Sequence, residues 1–329
     1  MGEYDESLND SIVQTEGLTK QFEDVAAVDE LTFEVPPGQI FGLIGPSGCG
    51  KTTTVRLLTG VYEPTKGRAL VLGSDPSEFS NATRARIGYM PQRSVLYRNL
   101  SVWENLRFAA SIYGVRPFAN QQLLDILDFV ELEEHRHKRV DQISGGMRRR
   151  LSLAASLIHE PTLLFLDEPT GGVDPVLRRK FWDHFEHLRD EQKTLFVTTQ
   201  YVGEAAYCDL VGIMMAGKLV VVDTPEGLRR RAFGGEVINV RSERSFEYAV
   251  TRDLRELDGV RQVIRVGDTH IRLVVDEASV VIPRILDWAK DHEVDIQSVK
   301  EYQPPFDDVF VRLIEKENGS RPAEEESDD

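Results

Sequence analysis

The chain has 329 residues, 41% of them hydrophobic and 29% charged, the balance of a soluble globular protein with room for one large domain and a small one. Its formal net charge of −16 argues against a nucleic-acid backbone as partner. No apolar stretch approaches the roughly 20 residues that cross a bilayer, and the acidic opening Met1–Asp10 does not read as a signal peptide, so a cytoplasmic protein is predicted.

In chain order, Ile12-Val13, Val25 to Val28 and Leu31 to Val35 alternate like strands until Pro36-Pro37-Gly38 breaks the run. Gln39 to Ile44 is a short apolar run of the kind that forms a buried parallel strand. It feeds Gly45-Pro46-Ser47-Gly48-Cys49-Gly50-Lys51-Thr52-Thr53, and Thr52 to Leu58 reads as a helix. Gly45 to Thr52 has the G-x-x-x-x-G-K-[ST] spacing, in the strand-to-helix context that a phosphate loop needs. Its glycines let backbone N–H groups converge on phosphates, Lys51 reaches the terminal phosphates, and Thr52 supplies a hydroxyl to Mg²⁺.

Trp103 to Tyr113 and Gln121 to Phe129 carry apolar residues at helical spacing within a mostly helical stretch from about Ser101 to Asp141. Strand-type runs return at Thr162 to Asp167 and Thr194 to Thr199, and Val211 to Val222 reads as a hairpin turning at Ala216-Gly217-Lys218. Strands separated by helices predict a doubly wound α/β core with an inserted helical lobe. Asp167 ends an apolar strand, where it can hold Mg²⁺ through water, and Glu168 beside it is the candidate general base for an attacking water. Beyond Arg229-Arg230-Arg231, a strand, helix, strand, strand, helix, strand order from Val237 to Val299 predicts a small ferredoxin-like α+β domain.

Gly45 to Thr52, Gln92, Ser144-Gly145-Gly146, Leu163 to Glu168 and Asp174 together resemble the ATP-binding cassette (ABC) ATPase family, over roughly residues 11 to 230. The resemblance implies a P-loop fold binding ATP and Mg²⁺. It also implies a head-to-tail dimer holding each ATP between one subunit's loop and the signature Ser144, Gly145, Gly146 and Met147 of the other. It implies that Gln92 touches Mg²⁺ and the attacking water, Phe22 stacks on adenine, and Asp174 lies where the subunits cross. A separate transmembrane permease and a second cassette, the same or different, are the implied partners. They would hold the chain on the cytoplasmic face of the membrane.

On this footing the chain divides into a flexible acidic N-terminus (1–10), a nucleotide-binding domain (11–232) with a helical subdomain at about 93–160, an accessory domain (233–316) and a disordered acidic tail (317–329). Gln200, in Thr198-Thr199-Gln200-Tyr201, stands where most of the family has a histidine contacting the γ-phosphate. An amide donates a hydrogen bond there but carries no proton charge. That sequence, Leu100 to Leu106 with Tyr113-Gly114, and Pro305 to Phe310 resemble the ABC-2, daunorubicin-type drug-exporter branch. A soluble ABC switch acting on ribosomes or DNA is the alternative. The single cassette, the acidic charge and the lack of a heptad run weigh against it.

Two cysteines, Cys49 and Cys208, are too few for a disulfide framework. Cys49 in the loop reads as a small residue that fits, or as a reactive thiol. Arg148-Arg149-Arg150 reads as a solvated helix face or a phosphate contact, and Arg229 to Arg231 as a polar linker face rather than a lipid anchor.

Overall fold

The computed structural model of the protein describes residues 11–115 and 120–319. The expectations for residues 1–10 and 320–329 lie outside these. The chain divides into two compact units after Val222. The first runs β1 (Val13–Phe22), β2 (Val25–Val35), β3 (Ile40–Ile44), α1 (Lys51–Leu58), β4 (Lys66–Val71), α2 (Asn81–Arg84) and β5 (Ile87–Met90). It continues α3 (Val102–Ile112), α4 (Asn120–Phe129), α5 (Gly145–Leu157), β6 (Leu163–Asp167), α6 (Pro175–Asp190), β7 (Thr194–Thr199), β8 (Leu210–Met215) and β9 (Lys218–Asp223).

Six of these strands form one sheet in the order β5-β6-β7-β3-β8-β9, parallel from β5 to β8. Every residue of β3, β6 and β7 is buried, which is why they read as apolar runs rather than alternating ones. The strand-like segments before Pro36 do not join this sheet. β1 pairs antiparallel with β2 on one side and with β4 on the other, in a sheet of order β2-β1-β4. Phe33 of β2 stacks on Phe41 of β3 at 5.2 Å, and Phe41 stacks on Phe196 of β7 at 5.1 Å, so the two sheets share one aromatic core.

Between β5 and β6 the chain detours through α3, α4 and α5. Their apolar stripes close on Leu106, Leu123, Leu127, Leu151 and Ile158. Ser101 and Glu104 form a reciprocal capping box that sets the start of α3.

The second unit comprises α7 (Pro225–Phe233), β10 (Glu236–Arg241), α8 (Tyr248–Glu256), β11 (Val260–Gly267), β12 (His270–Val275), α9 (Ala278–Asp291), β13 (Ser298–Glu301) and α10 (Phe306–Gly319). Its antiparallel sheet has the order β11-β12-β10-β13. Its own core includes Val240, Leu254, Leu273 and Ile285.

Two sequence-based boundaries move. The second unit begins ten residues ahead of the expected 233, because α7 packs on α10 inside it. Helix α10, unread in the sequence, carries ordered chain to Gly319, past the expected tail start at 317. The arginines taken as a polar linker face are engaged within this unit: Arg229 lies over the Phe306 ring at 4.2 Å, Arg230 pairs with Glu236, and Arg231 with Asp223 at 2.6 Å.

Candidate active site at the strand ends

Four adjacent parallel strands end together, and each delivers one part of the site. β5 leads to Gln92, β6 ends in Asp167 and Glu168, β7 ends in Thr198 and Thr199 before Gln200, and β3 leads into the glycine loop. Crevices at the carboxyl ends of such strands are where open α/β sheets bind ligands. An open cavity of about 500 Å³ there is lined by Ser47, Gly48, Gly50, Lys51, Thr52, Thr53, Gln92 and Glu168, with Ala27, Arg56 and Arg93.

The loop has its shape because two glycines permit it. Gly50 has φ +111°, and a Cβ there would lie 2.3 Å from the Ala27 carbonyl oxygen. A Cβ on Gly45 would lie 2.2 Å from the Met214 carbonyl oxygen. No side chain caps α1 and no acid stands in its first turn, so its positive dipole end faces the cavity unneutralised. Lys51 is 4% exposed; its Nζ donates to the Gly45 and Pro46 carbonyls at 2.7 and 2.9 Å and lies 3.9 Å from Glu168 Oε1. Cys49 is buried, and burial pushes its thiol pKa up, partly offset by Lys51, so it packs rather than reacts.

Asp167 is fully buried, and burial raises its pKa against the opposing hydrogen bonds of Thr198 and Thr52. Thr198 Oγ1 donates to Asp167 Oδ1 at 2.6 Å and Thr52 Oγ1 donates to the same oxygen at 3.2 Å. Asp167 Oδ2 is buried without a hydrogen-bond partner. Glu168 takes a left-handed backbone, φ +51°, at a cost of about 1–2 kcal/mol for a residue with a Cβ. Its N–H donates to the Thr198 carbonyl and hydroxyl oxygens, both at 3.0 Å, and its carbonyl accepts from Gly171 N–H at 3.1 Å. Gln92 Nε2 donates to Glu168 Oε2 at 3.2 Å, and Ser47 Oγ donates to Gln200 Oε1 at 2.9 Å. The structure thus brings the loop, Asp167, Glu168, Gln92 and Gln200 together.

It does not bring the other candidates there. Ser144 caps α5 by accepting from Met147 N–H at 3.2 Å, and neither these two nor Gly145 and Gly146 line the cavity. Asp174 caps α6, accepting from Val176 and Leu177 N–H. Phe22 is 42% exposed, edge-on to Tyr62 at 5.4 Å, and lines no part of the cavity.

Thr198, Arg56 and Arg93 escaped the sequence reading as site residues. Thr198 stood in the motif that drew attention only to Gln200. The arginine triplet, read as a solvated helix face or a phosphate contact, is half-buried and bonded to backbone carbonyls. Arg148 donates to the Ile143 carbonyl at 2.7 Å, Arg150 to the Val130 carbonyl at 3.0 Å, and Arg149 to the Gln92, Asp167 and Glu168 carbonyls.

A phosphate loop with a strand-end aspartate and an adjacent glutamate defines a P-loop nucleoside-triphosphatase. The chain belongs to the ABC transporter family, as one of its ATPase cassettes: residues 28–171 match the family described as "ABC transporter". It is 34% identical over 310 residues to the daunorubicin resistance ATP-binding protein DrrA3 of Streptomyces coeruleorubidus, covering 92% of this chain and 96% of that protein. It is 42% identical over 238 residues, 72% of this chain, to the probable multidrug ABC transporter ATP-binding protein YbhF of Escherichia coli, but spans 41% of that protein's length. A solved ATP-binding subunit of an ABC transporter superposes with a TM-score of 0.63 at 26% identity, covering 68% of this chain and 94% of that one.

Proposed function

We propose that this chain is the ATP-hydrolysing subunit of an ABC exporter of the ABC-2, daunorubicin type, dimerising on ATP to drive a separate transmembrane permease. The observation that carries it is the convergence of Lys51, Asp167, Glu168, Gln92 and Gln200 at four adjacent strand ends. Loop N–H groups and Lys51 hold the phosphates. Glu168 accepts the proton of the attacking water, and Gln92, already bonded to it, orients that water. The chemistry is phosphoryl transfer to water, driven by positioning and charge rather than a covalent intermediate.

The residues fit Mg²⁺. Asp167 has one buried oxygen without a partner and the Thr52 hydroxyl beside the other. Among the described residues no cluster of three or more His, Cys, Asp or Glu could hold a metal, which suits an ion held chiefly by substrate phosphates. Thr52, Asp167 and Gln92 would hold it, and it would neutralise charge on the phosphates.

The signature residues, lining no part of their own chain's cavity, are free to face the ATP of a second cassette, with Asp174 at the crossing. Phe22, exposed at the end of β1, is our candidate for stacking on adenine. Among the described residues no helix is long and apolar enough to cross a membrane, so we assign membrane attachment to the permease. We read residues 223–319 as a ferredoxin-like accessory domain.

The test is capture of membrane proteins on tagged Glu168→Gln protein with ATP and Mg²⁺ from detergent-solubilised membranes, read by mass spectrometry. A polytopic partner is the expected result. Recovery of ribosomal or other soluble partners alone would replace the exporter with a soluble switch.

A further inference from the structure

Arg149 lies on α5, five residues past the Ser144 cap, and its guanidinium is turned inward. One end nitrogen donates to the Gln92 carbonyl, and the other to the Asp167 carbonyl at 2.7 Å and to the Glu168 carbonyl. A single cation therefore ties three backbone oxygens on two separate segments: the turn after β5 and the end of β6. Those segments carry Gln92 and Glu168, whose side chains meet at 3.2 Å across the cavity.

Glu168 is the residue whose backbone most needs such a tie. Its φ of +51° is a conformation that a side-chain-bearing residue holds only when its neighbours enforce it. Thr198 holds its N–H side, while Gly171 N–H and Arg149 hold its carbonyl side. The direction of the Cα–Cβ bond, and hence where the carboxylate points, follows from that backbone conformation. A lysine offers a point charge, whereas the planar fork of arginine reaches several carbonyls at once.

We propose that Arg149 is a positioning residue for hydrolysis: by clamping the Gln92, Asp167 and Glu168 carbonyls it aims the Glu168 carboxylate and the Gln92 amide at the γ-phosphate and its attacking water. This rests on the ATPase reading above.

Arg149 does not line the cavity, so its loss should spare ATP affinity and lower turnover. The experiment compares wild type, Glu168→Gln, Arg149→Ala and Arg149→Lys as full chains. Phosphate release gives kcat, a fluorescent ATP analogue gives Kd, and a thermal melt reports folding. The expected result for Arg149→Ala is a kcat at least tenfold lower with Kd within about threefold of wild type, and Arg149→Lys falls between them. A kcat within twofold of wild type in folded Arg149→Ala would overturn the proposal, as would a Kd that weakens in step with kcat. Should Arg149→Ala not fold, Arg149→Lys decides: a threefold or greater loss of kcat at unchanged Kd supports the clamp, and wild-type turnover overturns it. The underlying reading fails separately, if wild type does not hydrolyse ATP or Glu168→Gln hydrolyses it as fast.

Discussion

Gln200 Oε1 accepts a hydrogen bond from the Ser47 hydroxyl at 2.9 Å, so the residue that replaces the usual histidine is anchored on the phosphate loop itself. That bond uses the amide oxygen and leaves the Nε2 group as the donor end of the side chain. An amide can donate there but cannot bring a positive charge.

Gln200 is therefore expected to limit turnover. Gln200→His should raise kcat several-fold, and Gln200→Ala, which removes the donor, should lower it about tenfold to a hundredfold. Steady-state phosphate release at saturating ATP measures both. Equal rates in Gln200→His and wild type would end the idea that the substitution sets the rate.

Glu168→Gln keeps the shape of the side chain and its contact distance to Gln92 but removes the proton acceptor. Turnover should fall at least about a hundredfold, with ATP binding retained. Binding of a fluorescent ATP analogue beside phosphate release separates the two; undiminished hydrolysis would remove Glu168 as the base.

Thr198 supports both acids, donating to Asp167 Oδ1 at 2.6 Å and accepting from Glu168 N–H at 3.0 Å. Thr198→Val is close to isosteric but strips a hydrogen bond from a fully buried carboxylate, at a cost of about 1–3 kcal/mol. The midpoint of thermal unfolding should drop by several degrees, and Thr198→Ser should restore it. A melting point unchanged by Thr198→Val would mean that Thr52 alone suffices for Asp167.

His184 stacks on Phe129 at 3.9 Å, and burial, aided by His187 and opposed by Glu191, lowers its pKa from 6.5 to about 4. The folded pKa lies below the unfolded one, so the unfolded chain binds the extra proton between them. The contribution is complete above pH 6.5 and is lost as pH falls toward 4. For a partly exposed ring about 1–2 kcal/mol is at stake. The melting point should fall between pH 7 and pH 5 by a few degrees more in wild type than in His184→Gln; parallel curves would show that the ring does not carry the effect.

Short-range chemistry was legible in the sequence. Gly45 to Thr52 announced a phosphate loop because that glycine spacing lets N–H groups converge, and the apolar run at Gln39 to Ile44 announced a buried parallel strand, while Thr162 to Asp167 and Thr194 to Thr199 announced strands. The family followed from the order of motifs.

Only the tertiary structure decided the rest. Periodicity says that β1 and β2 are strands but not that they form a separate sheet in which β1 also pairs with β4, since partner choice depends on strands far away in sequence. The arginine triplet read as either a solvated face or a phosphate contact, because charged side chains usually face water or an anion. The half-buried position of Arg149 becomes favourable only when the Gln92, Asp167 and Glu168 carbonyls, 57, 18 and 19 residues away, arrive around it. The left-handed φ of Glu168 left no trace in the sequence either, since glycine is the usual mark of such a turn. What the chain binds was written in its local spacing; how it holds its acids in place was set by contacts that only folding creates.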